Sequence, residues 1–377
     1  MQITPENMFL LGLLLFWAII YAVGQILHTD KHGLKILPFF LTYRSEKFKN
    51  TISIIGEKNR LLWKTLSNVS TALGLGLLTY VTYFLASNLL KFFYSTVQSV
   101  PVIPIVPAVT IRLDSLPYFF AAVAIIVILH ELAHGVSAIV EKVSVKSAGL
   151  ALVLAFFGGF VEPEEQSFGR ASKTSKLRIV SAGSAINLVT GLLVLVLLLN
   201  LFAPSAGVLV DGTVADGPLA RAGVNRFDVI TAVNGKGIDS LQSLANYLNN
   251  TTPGAVVVLR VNGNNVTVIT ENLNGRALIG LSYGLNYHPS LLGFDHVTSA
   301  NLYLTLYWTF LAAFSVAVFN MLPAFPFDGE KFLFHLFEDR VEKGKRFSLR
   351  VLINAVFWGL LLANMILSFV YFGLPRA

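Results

Sequence analysis

Apolar residues run along this chain in six long stretches, each able to carry an α-helix across about 30 Å of hydrocarbon. They fall near 8–27, 67–92, 117–140, 178–202, 299–320 and 351–372. Two regions break this rhythm. The first, 149–160 (GLALVLAFFGGF), is apolar but too short to cross, and it carries the glycine pair Gly158-Gly159. A segment of this kind predicts a re-entrant hairpin, tolerated only where protein or a wet cavity satisfies its backbone. The second, about 205–285, changes period. Short β-rich runs at 208–210, 229–233, 256–261 and 266–270 are separated by turns such as Asn234-Gly235 and Asn262-Gly263, with one helical pattern at 240–248. The expected fold is a polytopic α-helical membrane protein of about six transmembrane helices and a re-entrant segment, with a small α+β domain inserted. Its divisions are 1–63 (first helix and a basic loop), 64–204 (three helices with the re-entrant segment), 205–290 (the inserted domain) and 291–377 (the last two helices).

Composition agrees with that pattern. Of 377 residues 54% are apolar and 13% charged, and the mean hydropathy is +0.67, values of a membrane protein. The first stretch reads as a retained anchor: Met1 to Asn7 hold no Lys or Arg, and the apolar run is too long for a signal core. Cysteine is absent, which excludes disulfides, thiolate metal ligands and cysteine-nucleophile chemistry. The net charge of +7 invites a nucleic-acid partner, but the basic residues gather in three loops. Seven Lys and Arg lie between Lys31 and Arg60, six between Lys142 and Arg178, and six between Lys331 and Arg350. They set orientation instead. The three basic loops are expected in the cytosol, with both termini and the inserted domain outside, and no nucleic acid is expected to bind.

Candidate chemistry sits inside the third stretch, at His130-Glu131-Leu132-Ala133-His134. Histidines four apart lie on one helical face, about 40° out of register, so both imidazoles reach one ion. Glu131 falls close to that side, where it can take a proton from water held at the ion. At 1.5 Å per residue His130 lies about 20 Å from the outer end of its helix and about 15 Å from the inner end. Two imidazoles and a carboxylate at such depth cost several kcal/mol unless paired or metal-bound. A catalytic zinc site needs a third protein ligand, and two sources of carboxylate stand out. One is Asp328, after Asn320-Met321-Leu322-Pro323-Ala324-Phe325-Pro326-Phe327, where the prolines predict an extended return towards the membrane. The other is the group Glu162, Glu164 and Glu165, which also fits a solvated rim. His288, His296 and His335 have no partner spacing and read as surface histidines.

The order of motifs carries a resemblance. His-Glu-x-x-His on one membrane helix, Ala182-Gly183-Ser184-Ala185-Ile186-Asn187 on the next, then Asn320-x-x-Pro323 with Asp328-Gly329 downstream, resembles the site-two protease family of intramembrane zinc proteases. The resemblance implies Zn2+ as cofactor, with His130, His134 and Asp328 as ligands and Glu131 as general base. It implies that Asn187 and Asn320 line the substrate cleft, with Pro323 and Gly159 alongside, and that the substrates are transmembrane proteins cut within the lipid bilayer. Glu330 departs from the pattern, since many members have a second glycine there. The string Gly217-Pro218-Leu219-Ala220-Arg221-Ala222-Gly223-Val224, followed by Asp228-Val229-Ile230 and Val233-Asn234-Gly235, resembles a PDZ domain of protease-associated type. Two competing readings are a membrane-anchored zincin that uses Glu162 or a neighbour as third ligand, and a non-catalytic membrane scaffold that recruits partners through the inserted domain.

Overall fold

A computed structural model of the protein describes residues 5–28, 33–94 and 99–373, so residues 1–4 and Lys31 lie outside the described residues. The chain forms two compact units, 1–193 with 308–377, and 194–307.

In chain order the first part comprises α1 (Pro5–Leu27), β1 (Leu34–Leu37), β2 (Phe40–Arg44), α2 (Glu46–Glu57), α3 (Arg60–Tyr94), α4 (Leu116–Val140), β3 (Val145–Val153), β4 (Phe156–Pro163), α5 (Glu165–Arg170) and α6 (Lys173–Leu201). The middle comprises β5 (Val208–Thr213), α7 (Pro218–Arg221), β6 (Val229–Val233), β7 (Lys236–Gly237), α8 (Leu241–Asn249), β8 (Val256–Val261), β9 (Asn264–Ile269), β10 (Glu271–Leu273), β11 (Arg276–Leu278) and β12 (Leu281–Asn286). The chain closes with α9 (His296–Phe319), α10 (Asp328–Phe337) and α11 (Arg346–Phe372).

The six expected spans are α1, α3, α4, α6, α9 and α11, all long and apolar enough to cross a bilayer. Burial separates them. In α4 and α6, 44% of the most apolar window is enclosed, against 11% in α1 and 17% in α11. The chain therefore places α4 and α6 at the centre, where a polar site is shielded from lipid.

Segment 149–160 is neither a loop nor a lone hairpin. It forms most of β3 and β4, antiparallel, with Gly149 opposite Phe160 and Gly159 opposite Leu150. β2 pairs with β3 on the other side, which gives a four-stranded sheet in the order β1-β2-β3-β4 with β4 at its edge. The basic loop expected after the first span thus carries two strands and the amphipathic helix α2. Its strands are four and five residues long, and β2's partner β3 lies about a hundred positions along the chain, so no local pattern announces them. Trp17 of α1 fixes the two hairpin tips. It is 2% exposed, its Nε1–H donates to the Leu154 carbonyl at 2.8 Å, and its ring meets Phe39 edge-on. Leu154 N–H in turn donates to the Phe39 carbonyl at 2.9 Å.

Between α9 and α10 the chain turns instead of running extended. Gly329 N–H donates to the Asn320 carbonyl at 2.9 Å, and Asp328 is the first residue of a ten-residue helix capped at Phe327. Pro323 is buried in this turn. The sequence also leaves α3 and α11 with asparagines in apolar surroundings, and these find each other. Asn88 Nδ2 donates to Asn364 Oδ1 at 2.9 Å, and Asn88 exchanges hydrogen bonds with both backbone groups of Val100. Ser368 Oγ accepts from Val102 N–H at 2.8 Å.

The unit 194–307 is built on a sheet in the order β12-β5-β6-β8-β9, with β7 on β6. Val208, Val210, Leu219, Ile230, Leu244, Leu259 and Ile279 fill its core. Asn234-Gly235 and Asn262-Gly263 both take positive φ (48° and 79°, 48° and 84°), the backbone a tight hairpin turn demands. Two histidines read as unpartnered surface groups are partnered. His288 Nδ1–H donates to the Ala203 carbonyl at 3.1 Å and its ring stacks on Tyr303. In the helical unit His335 bonds Glu338 at 2.8 Å between the rings of Phe168 and Phe334.

Candidate metal centre

Helix α4 is 25 residues of almost unbroken apolar sequence, opened by Pro117 in its first turn. That pattern makes a rigid central rod, and His130 and His134 project from one side of it. Their Nε2 atoms lie 3.1 Å apart. Asp328, delivered by the turn before α10, brings Oδ2 to 3.2 Å from His130 Nε2 and 2.9 Å from His134 Nε2. Among the described residues this is the group of three ligand side chains placed to hold a metal ion.

The surrounding hydrogen bonds decide what kind of cluster it is. His134 Nδ1 meets the Ile179 carbonyl at 2.7 Å. A carbonyl only accepts, so Nδ1 carries a proton and Nε2 is the atom turned to the centre. Nε2 faces a carboxylate oxygen at 2.9 Å inside a buried site. Asn320 Nδ2 donates to Asp328 Oδ2 at 2.7 Å and lies 3.1 Å from His130 Nε2. Three ligand atoms meeting at one point in this way are what a bound metal ion requires.

Two further observations fit a metal. Asn187, fully buried on α6, faces His130 Nδ1 with its amide at 3.1 Å, and its Oδ1 is one of two buried side-chain atoms without a partner among the described residues. Turning the amide by 180° lets Oδ1 accept from Nδ1–H, the tautomer that frees Nε2 for a ligand bond. On the same helix face a methyl at Gly183 would lie 2.5 Å from His130 Nε2 and from His134 Nε2. Only glycine leaves that space open. Ile179, Gly183 and Asn187 recur every four residues, so one stripe of α6 orients one histidine, clears the centre and orients the other.

Glu131 points elsewhere, as its position on the helix requires. Its Oε2 accepts the Val161 N–H of β4 at 3.0 Å. Gly159 lies beside it: a methyl there would sit 3.7 Å from Glu131 Cβ. A methyl at Gly158 would fall 2.5 Å from Val127 Cγ1, so the glycine pair lets β4 lie directly on α4. Of the cleft residues expected from sequence, Asn187, Asn320 and Gly159 reach the ligands or Glu131. Pro323 instead acts within the turn that returns Asp328. Glu162 is turned away: it pairs with Lys146 Nζ at 2.6 Å and Ser147 Oγ at 2.7 Å. The lysine and hydroxyl hold its carboxyl below the usual range, so it stays ionised on Lys146. Glu330, the departure from the family pattern, is buried and bound by Arg350 of α11 through both carboxylate oxygens at 2.5 and 2.8 Å. This pair ties the first turn of α10, and with it Asp328, to α11. Sequence reasoning missed the Ile179 carbonyl and the Val161 N–H because backbone groups leave no residue signature. The four-residue spacing back from Asn187 was the one available pointer to Ile179.

Comparison with known proteins gives two findings. Residues 118–364 match the family model described as peptidase family M50. The chain is also similar to an uncharacterized protein of Methanocaldococcus jannaschii, 25% identical over 337 residues, which covers 87% of this chain and 85% of the relative.

Proposed function

Because this chain belongs to peptidase family M50, we propose that it is an intramembrane zinc protease that hydrolyses peptide bonds in or near transmembrane helices of other proteins. The observation that carries this reading is the convergence of His130, His134 and Asp328 on one point, with Glu131 on the adjoining face of the same helix. A zinc ion held there supplies Lewis acidity, acidifying water and polarising a carbonyl.

The protein's own residues do the rest. His134 is fixed by Ile179 and His130 by Asn187, so both ligands hold their tautomers through turnover. Asp328 contributes the negative charge, and Asn320 donates to it. Val161 N–H orients the Glu131 carboxylate. Glu131 takes one proton from the attacking water as the new C–O bond forms, and delivers it to the amide nitrogen as the C–N bond breaks. Substrate in helical form cannot react, because its carbonyls are hydrogen-bonded and shielded. β4 is an edge strand that lies on α4 beside Glu131, and its outer backbone groups receive an unwound substrate as an added strand.

The basic loops orient the chain with both termini and the inserted domain outside the cytosol. That domain is PDZ-like and acts as a docking or size filter, which favours substrates already shortened by another protease. Deleting 208–283 then permits cleavage of full-length substrates; unchanged selectivity refutes the filter. For the proteolysis itself, the test is a reconstituted single-span substrate scanned with proline. Helix-breaking positions near the scissile bond raise cleavage, and a flat scan contradicts strand addition at β4.

A further inference from the structure

The face of α4 turned away from Glu131 borders an apolar groove between α3, α4 and α6. Leu66, Leu73, Leu132, Val136, Ile186 and Val189 form its walls, and its volume is about 380 Å³. Polar lining is confined to serines, of which Ser67 and Ser137 lie within 3.5 Å of each other. Residues 129, 132, 133 and 136 stand roughly 100–160° round α4 from Glu131, at 100° per residue. A peptide lying here is out of reach of the proton-transfer group, so the groove is not part of the cleft.

Its charged end identifies the occupant. The groove face of α3 runs through Trp63, Ser67 and Ser70, and one turn earlier on that face stands Arg60. Its Nε and Nη2 donate to the Val140 carbonyl at 3.2 and 2.7 Å, where α4 ends. That partner is neutral, so the guanidinium keeps its charge at the groove's end. On α6 the groove face continues back from Ala182 to Arg178, which is balanced by Glu141 at 2.9 Å. The result is an apolar channel closed by net positive charge. A neutral transmembrane helix has no use for that charge, whereas an amphiphile with an acidic head matches both parts.

We propose that this groove is a binding site for an anionic phospholipid, with one acyl chain between α3, α4 and α6 and the phosphate held by Arg60. The chain lies against Leu132, Ala133 and Ala182, next in sequence to Glu131, His134 and Gly183, so an occupied groove braces the two helices that hold the metal centre. The site stands on its own observations and does not depend on proteolysis.

The test uses the full-length protein in detergent, exposed in turn to phosphatidylglycerol and phosphatidylcholine, with retained lipid and zinc counted by native mass spectrometry. The wild type retains phosphatidylglycerol with about fivefold preference, one cation being sufficient for a discrimination of that size. The variant Arg60→Gln loses the preference. Ser70→Phe/Val189→Phe, which fills the groove from its open side, loses the bound lipid while zinc content is unchanged. Equal retention of the two lipids by wild type, or full retention by the filled variant with its zinc intact, overturns the proposal. Should the filled variant fail to fold, a photo-crosslinker at Leu73 decides the matter. Capture of phosphatidylglycerol supports the site, and capture of a co-reconstituted substrate span refutes it.

Discussion

Two polar clusters lie among the membrane-length helices, and they are built on opposite principles. In the Asn88–Asn364–Ser368 cluster every donor meets an acceptor: amide to amide, amide to carbonyl, hydroxyl to carbonyl, backbone N–H to hydroxyl. Nothing in it is ionisable. Such a network rigidifies, and here it clamps α3 to α11. The His130–His134–Asp328 cluster has as many contacts but is made of ionisable groups whose ligand atoms converge on one point. His134 Nε2 faces a carboxylate oxygen at 2.9 Å, and both histidines have their other nitrogen turned to a fixed partner. Complete pairing of neutral groups marks a structural clamp, whereas converging ligand atoms of ionisable groups mark a place for a cation.

The sharpest way to break this comparison is to remove one converging ligand. Asp328→Ala is expected to abolish zinc retention and to reduce cleavage by at least about a thousandfold, a loss comparable to removing a catalytic group. Metal analysis of the purified variant beside a cleavage assay checks both. Glu162→Gln should leave zinc and activity in place; the reverse outcome for these two carboxylates would transfer the third ligand to Glu162. Next in size is Asn187→Ala, which removes the partner of His130 Nδ1. Zinc affinity should fall about ten- to a hundredfold, read from competition with a chelator.

On the other cluster, Asn364→Leu should cost about 1–3 kcal/mol of stability by stranding Asn88 and Leu85 groups. Zinc stoichiometry should stay at wild type, and thermal unfolding with metal analysis separates the two effects. A loss of zinc would mean the clamp and the metal centre are one system. The smallest expected effect is that of Trp17→Phe, which keeps a ring beside Phe39 but loses the hydrogen bond to Leu154. A cost of about 1 kcal/mol at the hairpin tips should appear as a several-fold rise in KM for a transmembrane substrate with kcat unchanged. A fall in kcat alone would place Trp17 outside substrate positioning.

The two clusters also differed in how far the sequence announced them. His130, Glu131 and His134 stood out because three ionisable groups at helical spacing are improbable in an apolar run. Asn187 and Asp328 were legible through the order of motifs. The long spans were equally plain, since bilayer thickness imposes their length. In the inserted domain two Asn-Gly turns marked their hairpins, because both residues must take positive φ. What escaped was long-range and backbone-borne. β1 and β2 are too short to show a pattern, and β2 pairs with a strand a hundred residues away. Asn88 and Asn364 find each other across 276 positions. The Val161 N–H and Ile179 carbonyl, which set Glu131 and His134, carry no residue identity at all. The prolines around Asp328 signalled a break in the helix but not the turn and short helix that follow.

The most direct test of the account is zinc content and cleavage of a reconstituted single-span substrate, wild type beside Glu131→Gln. One zinc per chain is expected in both proteins, with cleavage by the wild type alone. Equal cleavage by both, or loss of zinc from the glutamine variant, would contradict the assignment of Glu131 as a proton carrier beside an independent His130–His134–Asp328 centre.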